Sequence, residues 1–452
     1  MNNIKVALHN LGCKVNQYET DAMSQLLSEV GYTIVPFEEG ADVYIINTCT
    51  VTNMADRKSR QMLHKAKKMN PKALVIAVGC YVQAAGEELK KDNAIDIIVG
   101  NNKKGEIVNI LNEYFGNDIK TDVLIDINAP CDYEDLTLFS KSREHTRVFL
   151  KIQDGCNQFC TYCIIPYARG RIRSKSIDVV RKETVKIASE GVKEIVLTGI
   201  HLSSYGKNYK ENKVEQEDYN LVTAIKDVAA IDGIERVRLG SLEPGIIDEE
   251  FLNEVKKIDK FCPHFHLSLQ SGCDSVLKRM NRKYGADEYL EKCRLIREVF
   301  PDAAITTDII VGFPGETDEE FETTLEFAKK VNFAQIHVFK YSPRKGTVAA
   351  RMEGQISEPV KSLRSDRLIE TGEKLRKDFV ESFVESSQDV LFEEVEEING
   401  KTYICGYTKE YVRVAVPCEK NNEKLYENRI AAVKITKVLN NENLLAEIIK
   451  MY

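Results

Sequence analysis

The sequence predicts an α/β protein that ends in a small all-β domain. Three observations support this. Short apolar runs alternate with amphipathic runs over the first 120 residues, the same rhythm restarts in larger units near Arg147, and strand-like alternation without helices follows residue 386. Strands that alternate with helices are typical of parallel sheets covered by helices. With 452 residues the chain has room for roughly two to four domains, each with its own core.

The first domain is predicted over residues 1–120. KVALHN, VYIIN, ALVIAVG and DIIVG are apolar runs of strand length, and TDAMSQLLSEV and SRQMLHKAKKM between them have helical spacing. We therefore expect an N-terminal α/β domain with a parallel sheet. Residues 121–145 show neither rhythm and are predicted to form a linker.

The second domain, predicted over residues 146–386, contains six candidate strands separated by helical stretches. These strands are predicted at 147–153, 194–199, 236–241, 264–270, 305–312 and 335–340. Six strand-and-helix units are too few to close an eight-stranded barrel, so we expect an open, partial (β/α)6 barrel. A long charged helix at about 357–386 would end this domain.

The third domain, predicted over residues 387–452, consists of five short strands, from DVLFEEVEEING to LLAEII. Strands this short and closely spaced, with no helical run between them, favour a small OB-like antiparallel β-barrel.

Composition excludes several classes of protein. Hydrophobic residues make up 43% of the chain and charged residues 29%, which is typical of a globular protein. No apolar run approaches the roughly 20 residues that a bilayer span requires, and MNNIKVALHN lacks the layout of a signal peptide. A cytoplasmic location is therefore expected. In that compartment the 12 cysteines need an explanation other than disulfides.

The strongest motif is GCNQFCTYC, in which Cys156, Cys160 and Cys163 follow the first predicted barrel strand. Three thiolates in one loop can hold three irons of a 4Fe–4S cluster and leave the fourth iron open. An open iron suits radical S-adenosylmethionine (SAM) chemistry, in which SAM chelates that iron. The alternative is a zinc site, but zinc prefers four ligands and a second close pair, which this loop lacks.

A second group of three cysteines is spread along the first domain. Cys13, Cys49 and Cys80 each stand at the end of an apolar run, 36 and 31 residues apart. If the strands are parallel neighbours, their carboxyl ends meet at the edge where open α/β sheets bind ligands. Three buried packing cysteines are the alternative, and spacing alone leaves both readings open. Gly12 and Gly79 favour a site where a bulky group meets the backbone.

The remaining cysteines have no ligand-like spacing. The seven histidines form no close pair except His264 and His266, which alternate on one predicted strand. We expect these two to face the barrel interior rather than a metal ion.

Charge alone is a weak guide to a partner. The net charge of −7 gives no general argument for nucleic acid, but residues 57–72 carry seven Lys or Arg and no acid. Such a run is usually a solvated helix face, so an RNA-binding role needs support from other features.

At the residues quoted above, the chain resembles the radical SAM methylthiotransferase family over its whole length. The stretches LTGIHLSSYG, RLGSLEP, LSLQSGCDSVLKRMNRKY and IIVGFPGET also look like blocks of that family. The resemblance implies that Cys13, Cys49 and Cys80 hold an auxiliary 4Fe–4S cluster and that Cys156, Cys160 and Cys163 hold the radical SAM cluster. It also implies that the last domain is a TRAM domain that binds RNA.

The segment LGCKVNQYET, from Leu11 to Thr20, looks like the subgroup that methylthiolates carbon 2 of N6-threonylcarbamoyladenosine beside the tRNA anticodon. The product would be 2-methylthio-N6-threonylcarbamoyladenosine. Alternatives within the family are isopentenyladenosine in tRNA and an aspartate of a ribosomal protein. A zinc-containing RNA-binding protein without activity is the alternative from another class.

The resemblance also implies partners and contact residues. The cofactors would be two 4Fe–4S clusters and SAM, and the partners tRNA, an external one-electron reductant and a sulfur source. Since the clusters and SAM carry the chemistry, no side chain is expected to be catalytic. The candidate SAM contacts are Tyr162, Gly199, Ser241, Glu243 and Gly312. The candidate tRNA contacts are Arg57, Lys58, Arg60, Lys401, Lys409 and Arg413.

Overall fold

Three bodies of secondary structure follow one another along the chain, which confirms the predicted fold class. The computed structural model describes residues 4–129, 131–134, 136–138, 146–210, 213–418, 426–441 and 443–452. In the described part of the chain, no helix combines the length and the apolar character that crossing a bilayer demands.

The first body is a five-stranded parallel sheet with the order β2-β1-β3-β4-β5. Its elements are β1 (Lys5–Asn10), α1 (Lys14–Glu29), β2 (Thr33–Val35), β3 (Val43–Thr48), α2 (Asn53–Met69), β4 (Leu74–Gly79), α3 (Cys80–Ala85), β5 (Ile97–Val99) and α4 (Ile107–Asn117). Both central strands β3 and β4 are buried along their whole length because helices cover both faces. The edge strand β2 was not predicted, since only three residues form it and two of them are exposed.

The second body contains two four-stranded sheets, β11-β8-β6-β7 and β12-β13-β14-β15, in which every pair of neighbours is parallel except β6 and β7, and a separate antiparallel pair, β9 and β10. The strands are β6 (Arg147–Asp154), β7 (Arg173–Ser174), β8 (Glu194–Gly199), β9 (Lys207–Lys210), β10 (Lys213–Gln216), β11 (Arg236–Leu239), β12 (Ser241–Leu242), β13 (His264–Leu267), β14 (Ala304–Val311) and β15 (Gln335–Lys340). The chain passes from one sheet to the other between β11 and β12, so the two sheets make one partial barrel that is open between β6 and β15. The predicted partial (β/α)6 barrel is confirmed.

Helices cover the outside of the partial barrel. They are α5 (Ile165–Arg169), α6 (Ile177–Ser189), α7 (Leu221–Ala230), α8 (Glu249–Lys256), α9 (Asp274–Arg279), α10 (Ala286–Val299), α11 (Asp318–Val331) and α12 (Glu358–Glu381). Capping boxes fix where two of these helices begin. Thr317 and Glu320 form the capping box of α11, and Asn220 and Thr223 form that of α7. The predicted long helix is α12, and it leads into the last body.

The third body is a closed barrel with the strand order β16-β17-β18-β20-β19. Its strands are β16 (Ser387–Ile398), β17 (Lys401–Tyr407), β18 (Arg413–Pro417), β19 (Ile430–Val438) and β20 (Leu444–Met451). All neighbours are antiparallel except β18 and β20, which are parallel. A register shift between Phe392 and Glu394 bends β16, so that it pairs with β19 in its first half and with β17 in its second.

The closed barrel docks on the amino-terminal ends of the partial-barrel strands. Arg236, the first residue of β11, donates to the main-chain oxygens of Tyr407 and Asp389, both at 2.7 Å. Arg238 donates to the main-chain oxygen of Lys409 at 2.8 Å. The C-terminal barrel therefore lies at the end of the partial barrel opposite to the loop that carries Cys156.

The described residues of the predicted linker pack against both neighbouring bodies. Val123 extends the first sheet through a parallel bridge to Val99, and the Tyr133 hydroxyl donates to the main-chain oxygen of Lys151 at 2.9 Å. Residues 130, 135 and 139–145 of this segment lie outside the described part of the chain.

Candidate active site: two cysteine triads beside one pocket

Cys13, Cys49 and Cys80 lie at the carboxyl ends of three neighbouring strands. Cys13 precedes α1 after β1, Cys49 follows β3, and Cys80 opens α3 after β4. In the sheet β2 lies on one side of β1, whereas β3, β4 and β5 follow on the other side. Open α/β sheets bind ligands at such a switch point, at the carboxyl ends of the two strands that flank it. We call these residues the first-domain triad.

Two glycines let the backbone close around the first-domain triad. Gly12 has a φ of 108°, and a Cβ on it would lie 2.9 Å from the Cys49 sulfur. Gly79 has a φ of 98°, and a Cβ there would lie 2.5 Å from the Asn47 side-chain oxygen. Positive φ is open to glycine at little cost, so both positions favour glycine for conformation and for space.

The thiols of the first-domain triad influence one another electrostatically. Burial raises the pKa of Cys49 to about 12, and the nearby Cys80 and Cys13 add to the rise. Desolvation in the cleft raises the pKa of Cys13, Arg169 opposes the rise, and Cys80 adds to it. Three thiols this close resist ionisation together unless a cationic group binds them.

Cys156, Cys160 and Cys163 form the second group, which we call the barrel triad. They lie in the loop after β6, at the carboxyl end of the partial barrel, where barrel enzymes place their active sites. Gly155 makes the loop possible, because its φ is 71° and a Cβ would lie 1.8 Å from the main-chain oxygen of Arg171. Burial raises the pKa of Cys156 and of Cys163 to about 12, and the Cys160 thiol adds to the rise in both.

Arg282 connects the barrel triad to the opposite strand ends. Its guanidinium donates to the Cys160 sulfur at 3.2 Å and to the Glu243 carboxylate at 2.5 Å. The Glu243 main-chain N–H in turn donates to the Ser203 hydroxyl at 2.9 Å. Sequence reasoning quoted the block LSLQSGCDSVLKRMNRKY, which contains Arg282, but did not single out this residue because it lies 122 residues from Cys160 along the chain.

A pocket of about 210 Å³ lies between the loop that carries Cys163 and the segment that follows Cys49. Val51 and Thr52, which follow Cys49, form one wall, and the segment Tyr162–Ile165 of the barrel loop forms another. The remaining lining comes from Gln270, Asp308, Ile310, Phe339, Lys340, Tyr341 and Ser342. Its surface is mostly apolar, which suits a flat aromatic ligand with a few polar edges.

Buried charges join the first domain to the partial barrel. We call Glu19, Lys104, Lys151, Asp154 and Arg169 the junction network. The Glu19 carboxylate accepts hydrogen bonds from Lys104 at 2.5 Å, Lys151 at 2.7 Å and Arg169 at 2.8 Å. Arg169 and Lys151 also pair with Asp154, at 3.2 Å and 2.6 Å. Since Glu19 and Lys104 come from the first domain and the others from the partial barrel, the network fixes one domain against the other.

The junction network reaches both triads. Arg169 donates to the Asn16 side-chain oxygen at 2.6 Å, three residues after Cys13. Asn101 donates to the main-chain oxygen of Ala168 at 2.7 Å and to the Cys80 sulfur at 3.4 Å. Asp154 is two residues before Cys156. No pattern in the sequence analysis pointed to Arg169, because its partners lie far from it along the chain.

Glu243 and Tyr162 lie where a ligand of the barrel triad could meet them. Tyr162 lines the pocket and makes an edge contact with Phe313 at a ring distance of 6.4 Å. Glu243 shares Arg282 with Cys160. Ser241 is exposed on β12, which neighbours β13.

The two candidate glycines have packing roles of their own. A Cβ on Gly199 would lie 2.8 Å from the Cβ of Gln153, so glycine lets β8 end close against β6. Gly312 has a φ of 70°, and a Cβ there would lie 2.4 Å from the Lys361 side chain on α12.

The six candidate RNA contacts divide into two groups. Arg57 and Lys58 are exposed on α2, and Arg60 beside them donates to the Tyr81 hydroxyl at 2.9 Å. Lys401 is exposed on the closed barrel. Lys409 instead donates to the main-chain oxygen of Asp259 at 2.5 Å, and Arg413 pairs with Glu394 at 2.8 Å and Glu396 at 2.7 Å.

The donor sets of both triads fit 4Fe–4S clusters. Each offers three cysteine sulfurs, the number that binds three irons and leaves one open. Arg282 beside Cys160 and Asn101 beside Cys80 supply donors to sulfur, the kind of contact that tunes such clusters.

Comparison with known proteins agrees with this geometry. Residues 150–328 match the radical SAM superfamily, and residues 5–100 match the uncharacterized protein family UPF0004. The threonylcarbamoyladenosine tRNA methylthiotransferase MtaB of Bacillus subtilis is 40% identical, over 96% of this chain and 94% of that protein. The tRNA-2-methylthio-N(6)-dimethylallyladenosine synthase of Clostridium botulinum strain Langeland is 37% identical over 84% of each chain.

Solved structures support the fold over about three quarters of the chain. The radical SAM methyltransferase TsrM of Kitasatospora setae superposes with a TM-score of 0.54 at 14% identity, covering 74% of this chain and 73% of its own. Enzymes of this kind use SAM and a 4Fe–4S cluster, and methylthiotransferases carry two clusters. The chain is 40–42% identical to methylthiotransferases over 84–96% of its length, and it carries two triads of cysteines. It therefore belongs to the radical SAM methylthiotransferase family.

Proposed function

We propose that this enzyme adds a methylthio group to carbon 2 of N6-threonylcarbamoyladenosine next to the tRNA anticodon. The pocket between the triads carries the proposal, because residues adjoining Cys49 and residues of the Cys163 loop face the same space. The choice of substrate rests on the MtaB relatives, whose names give threonylcarbamoyladenosine in tRNA as the substrate. A cytoplasmic location, an external one-electron reductant and a sulfur source belong to the same proposal.

The six triad cysteines are the proposed cluster ligands. When bound, the two clusters and SAM supply the radical chemistry needed at a carbon–hydrogen bond that no side-chain base could deprotonate, and the methylthio group to be transferred. The chain's own task is geometric: it must hold both sites against one base and keep water away.

Several residues suit that task. The junction network sets the distance between the triads, and the apolar residues Tyr162, Ile164 and Phe339 limit water in the pocket. Arg282 holds the Glu243 carboxylate at the edge of the barrel triad, which makes Glu243 a candidate partner for the SAM amino group. Ser241 stays a candidate polar contact, and Gly199 and Gly312 would act by letting backbone come close.

The proposed substrate predicts a specific defect in cells. In a strain that lacks the gene, we expect mass spectrometry of tRNA nucleosides to show N6-threonylcarbamoyladenosine without its 2-methylthio derivative. Wild-type protein should restore the derivative, and Cys49→Ala protein should not. Loss of a methylthiolated isopentenyladenosine instead, or of a ribosomal-protein modification with normal tRNA, would contradict the proposed substrate.

The tRNA grip is proposed to include the exposed start of α2, because Arg57 and Lys58 lie on the side of the sheet where the first-domain triad is found. A phosphate contact adds about 0.9 to the slope of log affinity against log salt for a duplex and about 0.7 for a single strand. The double change Arg57→Glu and Lys58→Glu should therefore lower affinity and reduce the slope by roughly 1.4 to 1.8.

Two lysines at and just beyond the far end of α2 provide a matched control. Lys68 and Lys72 are exposed near the opposite end of α2, so Lys68→Glu with Lys72→Glu makes the same charge change far from the triad. A salt titration of tRNA binding should separate the two variants. Equal slopes in both would mean that the basic run is only a solvated helix face.

A further inference from the structure

Lys14 occupies an unusual place in the cleft. It follows Cys13 and is the first residue of α1, a helix that packs against β6 and β8 of the partial barrel. Its ammonium lies 5.7 Å from the centre of the Phe149 ring on β6. Its electrostatic neighbours are Arg147, Arg238, Glu194 and Asp308, which come from four different barrel strands. The side chain is exposed to solvent, so the ammonium is accessible to a ligand.

Lys14 lacks the counterion that its neighbours have. Arg238 pairs with Glu194 at 2.8 Å, Arg147 pairs with Glu393, and Asp308 pairs with His266 at 3.4 Å. Within the described ranges of the chain, no carboxylate oxygen lies within ion-pair distance of the Lys14 ammonium. A cation that faces the barrel wall and forms no ion pair with the described residues is available to an anionic group from outside the protein.

The position of Asp308 relates this cation to the pocket. Asp308 lines the pocket between the triads and is also an electrostatic neighbour of Lys14. A base held in that pocket would lie beside Asp308, and a substituent that extends past Asp308 would approach the ammonium. Asp308 would repel an anion close to it, so the anion should settle on the Lys14 side of the cleft.

Charge then distinguishes between the two kinds of base that the relatives' names mention. A threonylcarbamoyl group carries a carboxylate and a hydroxyl, whereas a dimethylallyl group is a hydrocarbon. A dimethylallyl group offers the Lys14 ammonium no hydrogen-bond acceptor, whereas the carboxylate of a threonylcarbamoyl group can form a charge-assisted hydrogen bond with it. We propose, resting on the function above, that Lys14 is a specificity-determining residue that binds the carboxylate of the threonylcarbamoyl group.

The test is a cycle of two changes, one in the protein and one in the RNA. Cluster-reconstituted protein without reductant is titrated with three anticodon stem-loop RNAs, whose target base carries threonylcarbamoyl, its methyl ester, or no modification. Wild-type protein should prefer the free carboxylate over the ester by roughly 10- to 100-fold, as a charge-assisted hydrogen bond provides. Lys14→Met should bind all three RNAs alike, and Lys14→Arg should keep much of the preference.

Controls separate this contact from other effects. Lys72→Met removes an exposed lysine at the opposite edge of the sheet and should behave as wild type. Iron content equal to wild type shows that the Lys14→Met change has left the cluster at Cys13 intact.

Two results would overturn the proposal. In the first, the Lys14→Met variant keeps the preference for the carboxylate. In the second, the variant loses affinity for all three RNAs by the same factor, as expected for a phosphate contact. Either result would show that Lys14 does not recognise the threonylcarbamoyl group. Failure of the proposed function looks different: wild-type protein itself would show no preference for threonylcarbamoyl RNA, before any variant is compared.

Discussion

Replacing Cys49 with alanine should abolish the methylthiolated product while 5′-deoxyadenosine still forms, whereas replacing Cys160 should abolish both. The physical reason is the separation of the triads: Cys49 belongs to the first-domain sheet and Cys160 to the loop after β6, and each triad is built from its own elements. Loss of one ligand should therefore disturb one site. Chromatography of SAM cleavage products and of digested tRNA measures both outputs.

Iron analysis provides the internal check. Wild-type protein should hold about eight irons and each variant about four, as two four-iron clusters require. Cys131→Ala, a cysteine outside both triads, is the matched control and should keep full iron and full activity. A colourless zinc protein, or a Cys49→Ala variant with normal product, would contradict the assignment of the first-domain triad.

Neutralising Glu19 should have the largest effect on stability. Its carboxylate accepts from Lys104, Lys151 and Arg169, all buried, so Glu19→Gln would leave buried cations with no adequate counterion. Removing one member of a buried ion pair typically costs about 3–5 kcal/mol in the free energy of unfolding. Glu29→Gln on the same helix is the control: Glu29 is exposed, so the change should stay within about 0.5 kcal/mol.

The pH dependence of this effect follows from the sign of the shift. Burial alone would raise the pKa of Glu19, but Arg169, Lys104 and Lys151 hold that pKa well below the ordinary glutamate value of about 4.5. The carboxylate therefore stabilises the folded state at every pH above about 4.5 and loses that contribution only as the pH falls through the lower folded value. Denaturant unfolding should show that the free energy of unfolding of Glu19→Gln is lower than that of wild type by the same amount from pH 6 to 8. A deficit no larger than that of Glu29→Gln would contradict this role for Glu19.

The junction network also bears on catalysis. A buried ion cluster is weak evidence for net stability, because desolvation offsets much of the attraction between its charges. Its geometry is more informative: Arg169 touches Asn16 near Cys13, and Asp154 leads into the loop of Cys156. The network thus ties the orientation of one triad to that of the other.

Much of this protein is determined by sequence patterns of short range. The barrel triad occupies eight consecutive residues, 156–163, so its ligands are close in any fold that orders the loop. The strands of the first sheet and of the partial barrel follow from apolar runs, since these must be buried under helices. The five strands of the closed barrel follow from their alternation in the same way. The missed strand β2 shows the limit, since three half-exposed residues carry no such pattern.

Other features depend on which distant residues the fold brings together. Cys13, Cys49 and Cys80 converge only because β1, β3 and β4 are neighbours in that order, and strand order arises from long-range pairing. Arg282 reaches Cys160 across 122 residues of chain, and Glu19 meets Arg169 across 150. Tertiary structure alone decides that Lys409 and Arg413 are used within the protein, while Lys14 faces Phe149 of the barrel and forms no ion pair with the residues that the structure describes. A charge in a sequence has no partner until the fold supplies one, so the pattern of residues identified the chemistry and the packing of domains decided which charges remain for a substrate.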